Sequence, residues 1–402
     1  MEGRPLLQKD RAMRGKEMIG VNYWPIDSAM DWWRRFDERV VEEDFARIRE
    51  TGLEGVRLFL LWEDFQPHPQ KISSRSLDRL VRVMEIGHSK GLRLIPTLFT
   101  GHMSGMNYLP LWMLELKESE ARFPVFSDGK KRRNGIRNFY ADRELIAAQK
   151  RLVREVSGAL QGHPGLWAWD LGNEPSNLVL PPGKEEALRW LEEMVTELKK
   201  KDESIPVTIG LHQEDLEEDR QMGPKEVAAF CELISMHAYS IYAQWSDDPF
   251  DVDVIPFLGL LTQWLGSKEV LIEEVGLPSS NQFTEGIIVS EDRAFDYYEQ
   301  LFARLSPYSF SGLFLWCYGD YAKSLWKNPP FDEKKQERYF GLFREDRSPK
   351  SFVPLLKWVK CERGHRPISF DWMDIEPDEY YRAPQTHLTR LFRRFKEGVV
   401  HG

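Results

Sequence analysis

The sequence predicts a single (β/α)8 barrel of the α/β class. Eight apolar, strand-like runs recur along the 402 residues, and amphipathic helical patterns lie between them. The competing architecture, a doubly wound open sheet, places a glycine-rich phosphate turn after its first strand. The first run here, "GVNYWP", offers nothing of that kind.

Taken in order, the runs are "MIGVNYWP" (18–25), "GVRLFLLW" (55–62), "LRLIPTLF" (92–99) and "LWAWDLGNEP" (166–175). After them come "IPVTIGLH" (205–212), "LISMHAY" (233–239), "VLIEEVG" (270–276) and "GLFLWCYGD" (312–320). Runs apolar on both faces suit strands covered by helices on one side and a barrel interior on the other. Residues 37–52 and 76–91 carry apolar positions at helical spacing and stop on Gly52 and Gly91. Segments 143–162, 184–201 and 291–306 follow the same plan, and 348–360 reads as the closing helix. Long connections follow the third, sixth and eighth strands (100–142, 240–262 and 319–340). Such segments lie at the catalytic face of a barrel, and their aromatic residues suit cleft walls. The expected division is a barrel over 1–360 and a polar C-terminal extension over 361–402, packing on the barrel or on a neighbouring subunit.

Composition narrows the function. Hydrophobic residues are 42 % and charged residues 30 %, as in ordinary globular proteins. With 55 basic and 64 acidic residues the net charge is −9, a poor match to nucleic acid or anionic membranes. Fourteen tryptophans suit stacking on sugar rings as well as core filling. Three scattered cysteines (Cys231, Cys317, Cys361) suggest neither disulfides nor a thiol metal site. No His-x-His or comparable ligand spacing appears, so neither metal nor cofactor is expected. The N-terminus lacks an apolar signal core, and the cytoplasm is the expected location, with secretion the alternative if a signal peptide has been removed.

In a barrel, the C-terminal strand ends share one site. Read off in order, they supply Arg57 within the second strand, His102 after the third, and Asn173 with Glu174 on the fourth. His237 and Tyr239 end the sixth, Glu274 the seventh, and Trp316 lies on the eighth. Two glutamates on separate strands are the minimum for cleaving a glycosidic bond: one protonates the leaving oxygen, the other attacks the anomeric carbon or activates water. Arg57 is costly to bury without a partner, and Glu274 is the natural one. Held by Arg57 and the Tyr239 hydroxyl, Glu274 stays ionised and serves as nucleophile. Glu174, near that charge, is expected to have a raised pKa and to act first as acid, then as base. Asn173 can bond the sugar 2-hydroxyl. Tyr23 and Trp24 end the first strand and read either as core or as a sugar platform; Trp112, Trp245 and Trp326 are further platform candidates on the long loops. His88, His163, His212 and His365 read as structural, and the basic segment 130–137 as a solvated loop.

The set "GVRL", "TGH", "GNEP", "HAY", "EEVG" and "LFLW", in that order across roughly residues 18 to 360, resembles the clan A glycoside hydrolases and most closely family 5. The resemblance implies a retaining mechanism with Glu174 as acid/base and Glu274 as nucleophile. The chain departs from the family in having Val275 where an aromatic residue usually stands. Glu273 and Glu274 are also adjacent; the family register selects Glu274, and strand alternation then turns Glu273 toward the helix layer. "GVNYWP" and "LFLLWEDFQP" resemble β-mannosidases and mannanases of the clan more than cellulases. The expected activity is therefore an exo-acting β-mannosidase or a short-oligosaccharide mannanase. β-Glucosidase, exo- or endo-glucanase and transglycosylase are alternatives; a non-catalytic sugar-binding barrel is more remote, since both glutamates are present. The expected partner is an oligosaccharide or glycoside, with self-association open.

Overall fold

The computed structural model describes residues 17–357, 359 and 370–401. Its centre is a closed barrel of eight parallel strands: β1 (Met18–Tyr23), β2 (Gly55–Leu61), β3 (Arg93–Thr100), β4 (Trp169–Asn173), β5 (Val207–His212), β6 (Ile234–His237), β7 (Val270–Val275) and β8 (Gly312–Leu315). β1 pairs with both β2 and β8, which closes the ring. All eight predicted runs become strands, and the predicted single (β/α)8 barrel is the fold.

Helices cover the outside: α1 (Glu38–Glu50), α2 (Ser74–Ser89), α3 (Arg143–Ala159), α4 (Lys184–Lys199), α5 (Pro224–Phe230), α6 (Val254–Gly266) and α7 (Glu291–Leu305). Side-chain caps start four of them, with Asp37, Ser73, Asp142 and Ser290 each accepting from a first-turn amide. Two segments differ from the sequence expectation. Residues 254–266, read largely as loop, form α6. Its sequence, "VIPFLGLLTQWLG", has no polar stripe because it is buried nearly all round. In the expected closing helix, only the five-residue 3-10 turn Val353–Lys357 is formed among the described residues.

The reason α6 lacks a polar face lies in the C-terminal segment. Helix α8 (Pro384–His401) runs over it, and Phe257 of α6 meets Phe392, Phe395 and Trp372 at ring distances of 5.1, 5.8 and 5.5 Å. Lys396 ion-pairs with Asp251 at 2.5 Å. The Tyr380 and Tyr381 hydroxyls donate to the backbone carbonyls of Leu216 and Asp215, both 2.8 Å, next to β5. Cys361 and the start of the predicted extension lie outside the described residues.

The barrel interior is layered. Near the strand beginnings, Met18, Ile95, Ala168, Leu271 and Phe314 form a small apolar cluster of their own. Gly20 permits it, because a Cβ there would fall 2.4 Å from the Phe314 ring. Above this plug the interior turns polar, with Thr97 donating to Asp170 at 2.6 Å and the Thr208 and Ser235 hydroxyls 2.8 Å apart. The site stands on that polar layer. The loop after β3 folds into a four-stranded and a two-stranded sheet at the barrel mouth. Its basic segment is strand rather than free loop, and Lys131 reaches Glu333 of the loop after β8 at 2.5 Å.

Candidate active site

Arg57 organises the centre. It is fully buried on β2, and its guanidinium spans the barrel. Nη1 donates to Glu274 Oε1 at 2.6 Å and to Asn22 Oδ1 at 3.2 Å; Nη2 donates to Asp170 Oδ2 at 2.7 Å and to Asn173 Oδ1 at 2.9 Å. Nε donates to Asp170 and Thr97, both 3.0 Å. Burial works against the charge, but Glu273, Asp170 and Glu274 outweigh it and hold the Arg57 pKa above the ordinary arginine value.

Asp170 is absent from the sequence-level site, and backbone irregularity explains why. Asp170 and Asn173 are three apart and belong on opposite faces of a regular strand. The β4–β5 register runs Asp170↔Thr208 and then Asn173↔Gly210, so β4 carries an extra residue and both side chains turn inward. The same device overturns the expectation for Glu273. Between β6 and β7 the register steps from Met236↔Ile272 to His237↔Glu274. Glu273 therefore faces the interior rather than the helix layer. It is fully buried, 3.5 Å from Arg57 Nη2 and 3.3 Å from His237 Nε2. Its other oxygen has no hydrogen-bond partner. Gly210 leaves room for this crowd: a Cβ there would sit 2.7 Å from His237 Nε2.

Glu274 receives Arg57 on one oxygen and the Tyr239 hydroxyl on the other, at 2.8 Å. Burial raises its pKa, and the nearby Glu174 adds to that, while His237, Arg57 and Tyr239 pull it down. Since both oxygens meet donors, the carboxylate is the form this geometry fits.

Glu174 sits at a left-handed backbone position, φ 45° and ψ 54°, directly before Pro175. That conformation is strained for a non-glycine residue and is met most often at functional sites. Oε1 lies 2.9 Å from His237 Nδ1, and Oε2 accepts from Asn177 Nδ2 at 3.0 Å. His102 Nε2 stands 3.8 Å away, its Nδ1 2.7 Å from Asn107. The Glu174 pKa runs opposite to the sequence expectation. Burial pushes it up, but the His237 hydrogen bond and the charges of His212, His237 and His102 hold it below the usual carboxylate range. His237 is the counterpart. Burial opposes its charge, yet Glu274, Glu174 and Glu273 push its pKa up to about 10. Glu174 and His237 face each other across this 2.9 Å contact and titrate as one coupled pair, in an arrangement that favours an ion pair.

Oxygens of Glu174 and Glu274 lie within 4.8 Å of one another and of a His237 nitrogen. They open into a cavity of about 440 Å³ that His102, Asn173, His237, Tyr239 and Trp316 also line. Tyr23 and Trp24 do not line it. Both are fully buried; Tyr23 donates to Asp44 of α1 at 3.0 Å, and Trp24 stacks on Phe59. They are core. The platform candidates also lie elsewhere: Trp112 donates to the Gln66 carbonyl, Trp245 packs on Phe392, and Trp326 lines a separate surface cavity. His212, read as structural, does line the active cavity, where Ser176 and Asp215 hold it. Sequence reasoning also missed Glu337, Phe123, Gln213, Glu214 and Glu217, all carried by the segments that connect strands to the outer helices.

Such a site, at the C-terminal mouth of a closed parallel barrel, has the layout expected of the clan A glycoside hydrolases that the sequence resembles. The glycoside hydrolase family 42 model, described as beta-galactosidase, matches residues 31–204. No curated protein matches the chain. Among solved structures, the chain is similar to a GH5_18 enzyme from Streptomyces cattleya in complex with Manb1-4GlcNAc. That match has 20 % identity and a TM-score of 0.79, covering 96 % of this chain and 92 % of that one. It is also similar to an exo-beta-1,4-mannosidase from Opitutaceae bacterium strain TAV5, at 21 % identity and TM-score 0.71, over 86 % of this chain and 59 % of that one. A GH5_18 structure from Bifidobacterium longum subsp. infantis matches at 21 % identity and TM-score 0.72, over 88 % and 80 %. Among the described residues, no helix is long and apolar enough to cross a membrane.

Proposed function

We propose that this chain is a retaining, exo-acting β-mannosidase whose substrate is a short β-mannoside such as Manb1-4GlcNAc. The observation that carries the retaining reading is the approach of Glu174 and Glu274 to within 4.8 Å. Carboxyl groups about 5–5.5 Å apart leave no room for a water between nucleophile and sugar, whereas inverting pairs stand farther apart. Glu274, fixed on both oxygens by Arg57 and Tyr239, attacks the anomeric carbon and forms the glycosyl-enzyme.

Glu174 delivers a proton to the leaving oxygen. Substrate binding strips water from the Glu174–His237 pair, and loss of water favours the neutral pair over the ionised one. The proton then moves from Nδ1 to Oε1 across their 2.9 Å contact. Once Glu274 is esterified, its charge is gone. Glu174 accepts a proton from the incoming water, and the base step follows. The mannoside preference is supported by the sugar bound in the Streptomyces cattleya neighbour and by the printed name of the Opitutaceae one. The family 42 match supports β-galactoside as a second reading.

A panel of aryl β-mannoside, β-galactoside, β-glucoside and β-xyloside tests the substrate, with the anomer first released read by NMR. The expected result is fastest turnover of the mannoside with net retention. Inversion would remove Glu274 from the nucleophile role, as would wild-type-like activity in Glu274→Ala.

A further inference from the structure

Of the cavity carboxyls that this mechanism leaves unused, one is buried, Glu337. Glu337 lies on the 3-10 turn Lys335–Tyr339, in the loop after β8, and is 7 % exposed. It shares the cavity with Glu174 and Glu274. Ser104, from the loop after β3, donates to its Oε2 at 2.8 Å, and the Trp316 indole is a second hydrogen-bonding neighbour. Among the described residues it makes no ion pair. Burial pushes its pKa up to about 7, against those hydrogen bonds and with Glu274 and Glu174 adding to the rise. Keeping a carboxyl buried without a cation is costly unless a ligand completes its hydrogen bonding.

Barrel order says which part of a ligand that is. β8 neighbours β7, which carries the nucleophile, while β4, which carries Glu174, lies across the ring. The leaving group occupies the Glu174 side, where His212 at the end of β5 and Gln213 and Glu217 just after it form the wall. The β8 side therefore faces the glycone. Resting on the glycosidase reading above, we propose that Glu337 is a specificity-determining residue. It accepts hydrogen bonds from a hydroxyl of the terminal sugar remote from the anomeric centre, and with Ser104 and Trp316 it closes the glycone pocket. The ligand class is an unbranched, non-reducing-end hexopyranoside.

A site built to bond a hydroxyl discriminates strongly against the analogue lacking it. The test compares wild type and Glu337→Gln on the aryl β-hexopyranoside the enzyme prefers and on its 3-, 4- and 6-deoxy forms. Wild type is expected to lose roughly 10- to 100-fold in kcat/KM on one deoxy substrate. Glu337→Gln is expected to lose a similar factor on the parent sugar and little more on that deoxy form. Ser104→Ala, which keeps the carboxyl but removes the hydroxyl that aims it, repeats the pattern at smaller amplitude. The comparison thus does not depend on one variant folding. An equal loss across the parent and every deoxy sugar in both variants would overturn the assignment while leaving the glycosidase reading intact. Absence of wild-type turnover on any aryl β-glycoside removes that reading, and this inference with it.

Discussion

Replacing His237 by glutamine separates the proton store from the proton donor. In the wild-type site the imidazole touches three carboxylates: Glu174 at 2.9 Å, Glu273 at 3.3 Å and Glu274 at 3.5 Å. They carry its pKa from 6.5 to about 10. That rise corresponds to a preference for the charged form on the order of 5 kcal/mol. The sign follows directly. The shared proton is present below the raised value and leaves as pH climbs through it. Activity on a poor leaving group needs that proton, so the alkaline limb of kcat/KM lies high. With glutamine at 237 the proton has only Glu174 to sit on. Loss of the imidazolium lets burial raise the Glu174 pKa from its depressed value, but a lone buried carboxyl still titrates well below 10. The alkaline limb is expected to fall by about 1–2 pH units. Initial rates across pH on an alkyl or disaccharide substrate read the shift, and a dinitrophenyl glycoside, which needs no acid, serves as the control. An alkaline limb unmoved from wild type on the poor leaving group would refute the shared-proton reasoning.

Two further substitutions probe the same network. Glu174→Ala is expected to cost kcat/KM heavily on natural linkages while sparing dinitrophenyl glycosides, and an equal loss on both would count against the acid role. Arg57→Met strips the cation from Asp170, Glu273 and Glu274, which are all buried. Breaking buried pairs from one side costs about 3–5 kcal/mol. Urea unfolding should show a loss of that order; a change below about 1 kcal/mol would mean the cluster relaxes by taking up protons or water.

The barrel was legible because its code is periodic. Strand runs and amphipathic helices repeat, and the site residues at strand ends follow from the topology alone. Where reading failed, a period was broken or a neighbour was invisible. Strict alternation turns Glu273 away from the site and gives no reason to single out Asp170, yet each lies at a register step that brings it inward. Helix α6 hid because its outer face is covered by residues more than a hundred positions later. Tyr23 and Trp24 sit at the correct strand end, but Tyr23 turns to Asp44 of the helix layer, and Trp24 lies behind Phe59, whose ring stands between it and Arg57 and Trp316. Glu337 had no local signal at all, since its place in the cavity depends on how a long loop returns over the mouth.

The register steps also explain how one arginine serves the whole site. A regular strand delivers a side chain to the interior every second residue, which spaces charges too widely to converge on one guanidinium. The extra residue on β4 brings Asp170 and Asn173 together on Arg57, and the one on β7 brings Glu273 and Glu274. Arg57 and His237 then face four carboxylates across the barrel. That excess of negative charge favours the protonated histidine and pulls its pKa up. On the mechanism proposed above, a sugar that displaces water, and an ester that consumes the charge on Glu274, would each shift the proton in the direction the next chemical step requires. Straightening either strand by deleting the extra residue would scatter the carboxylates to opposite faces. It would leave a barrel with the right fold and a dispersed Arg57 cluster.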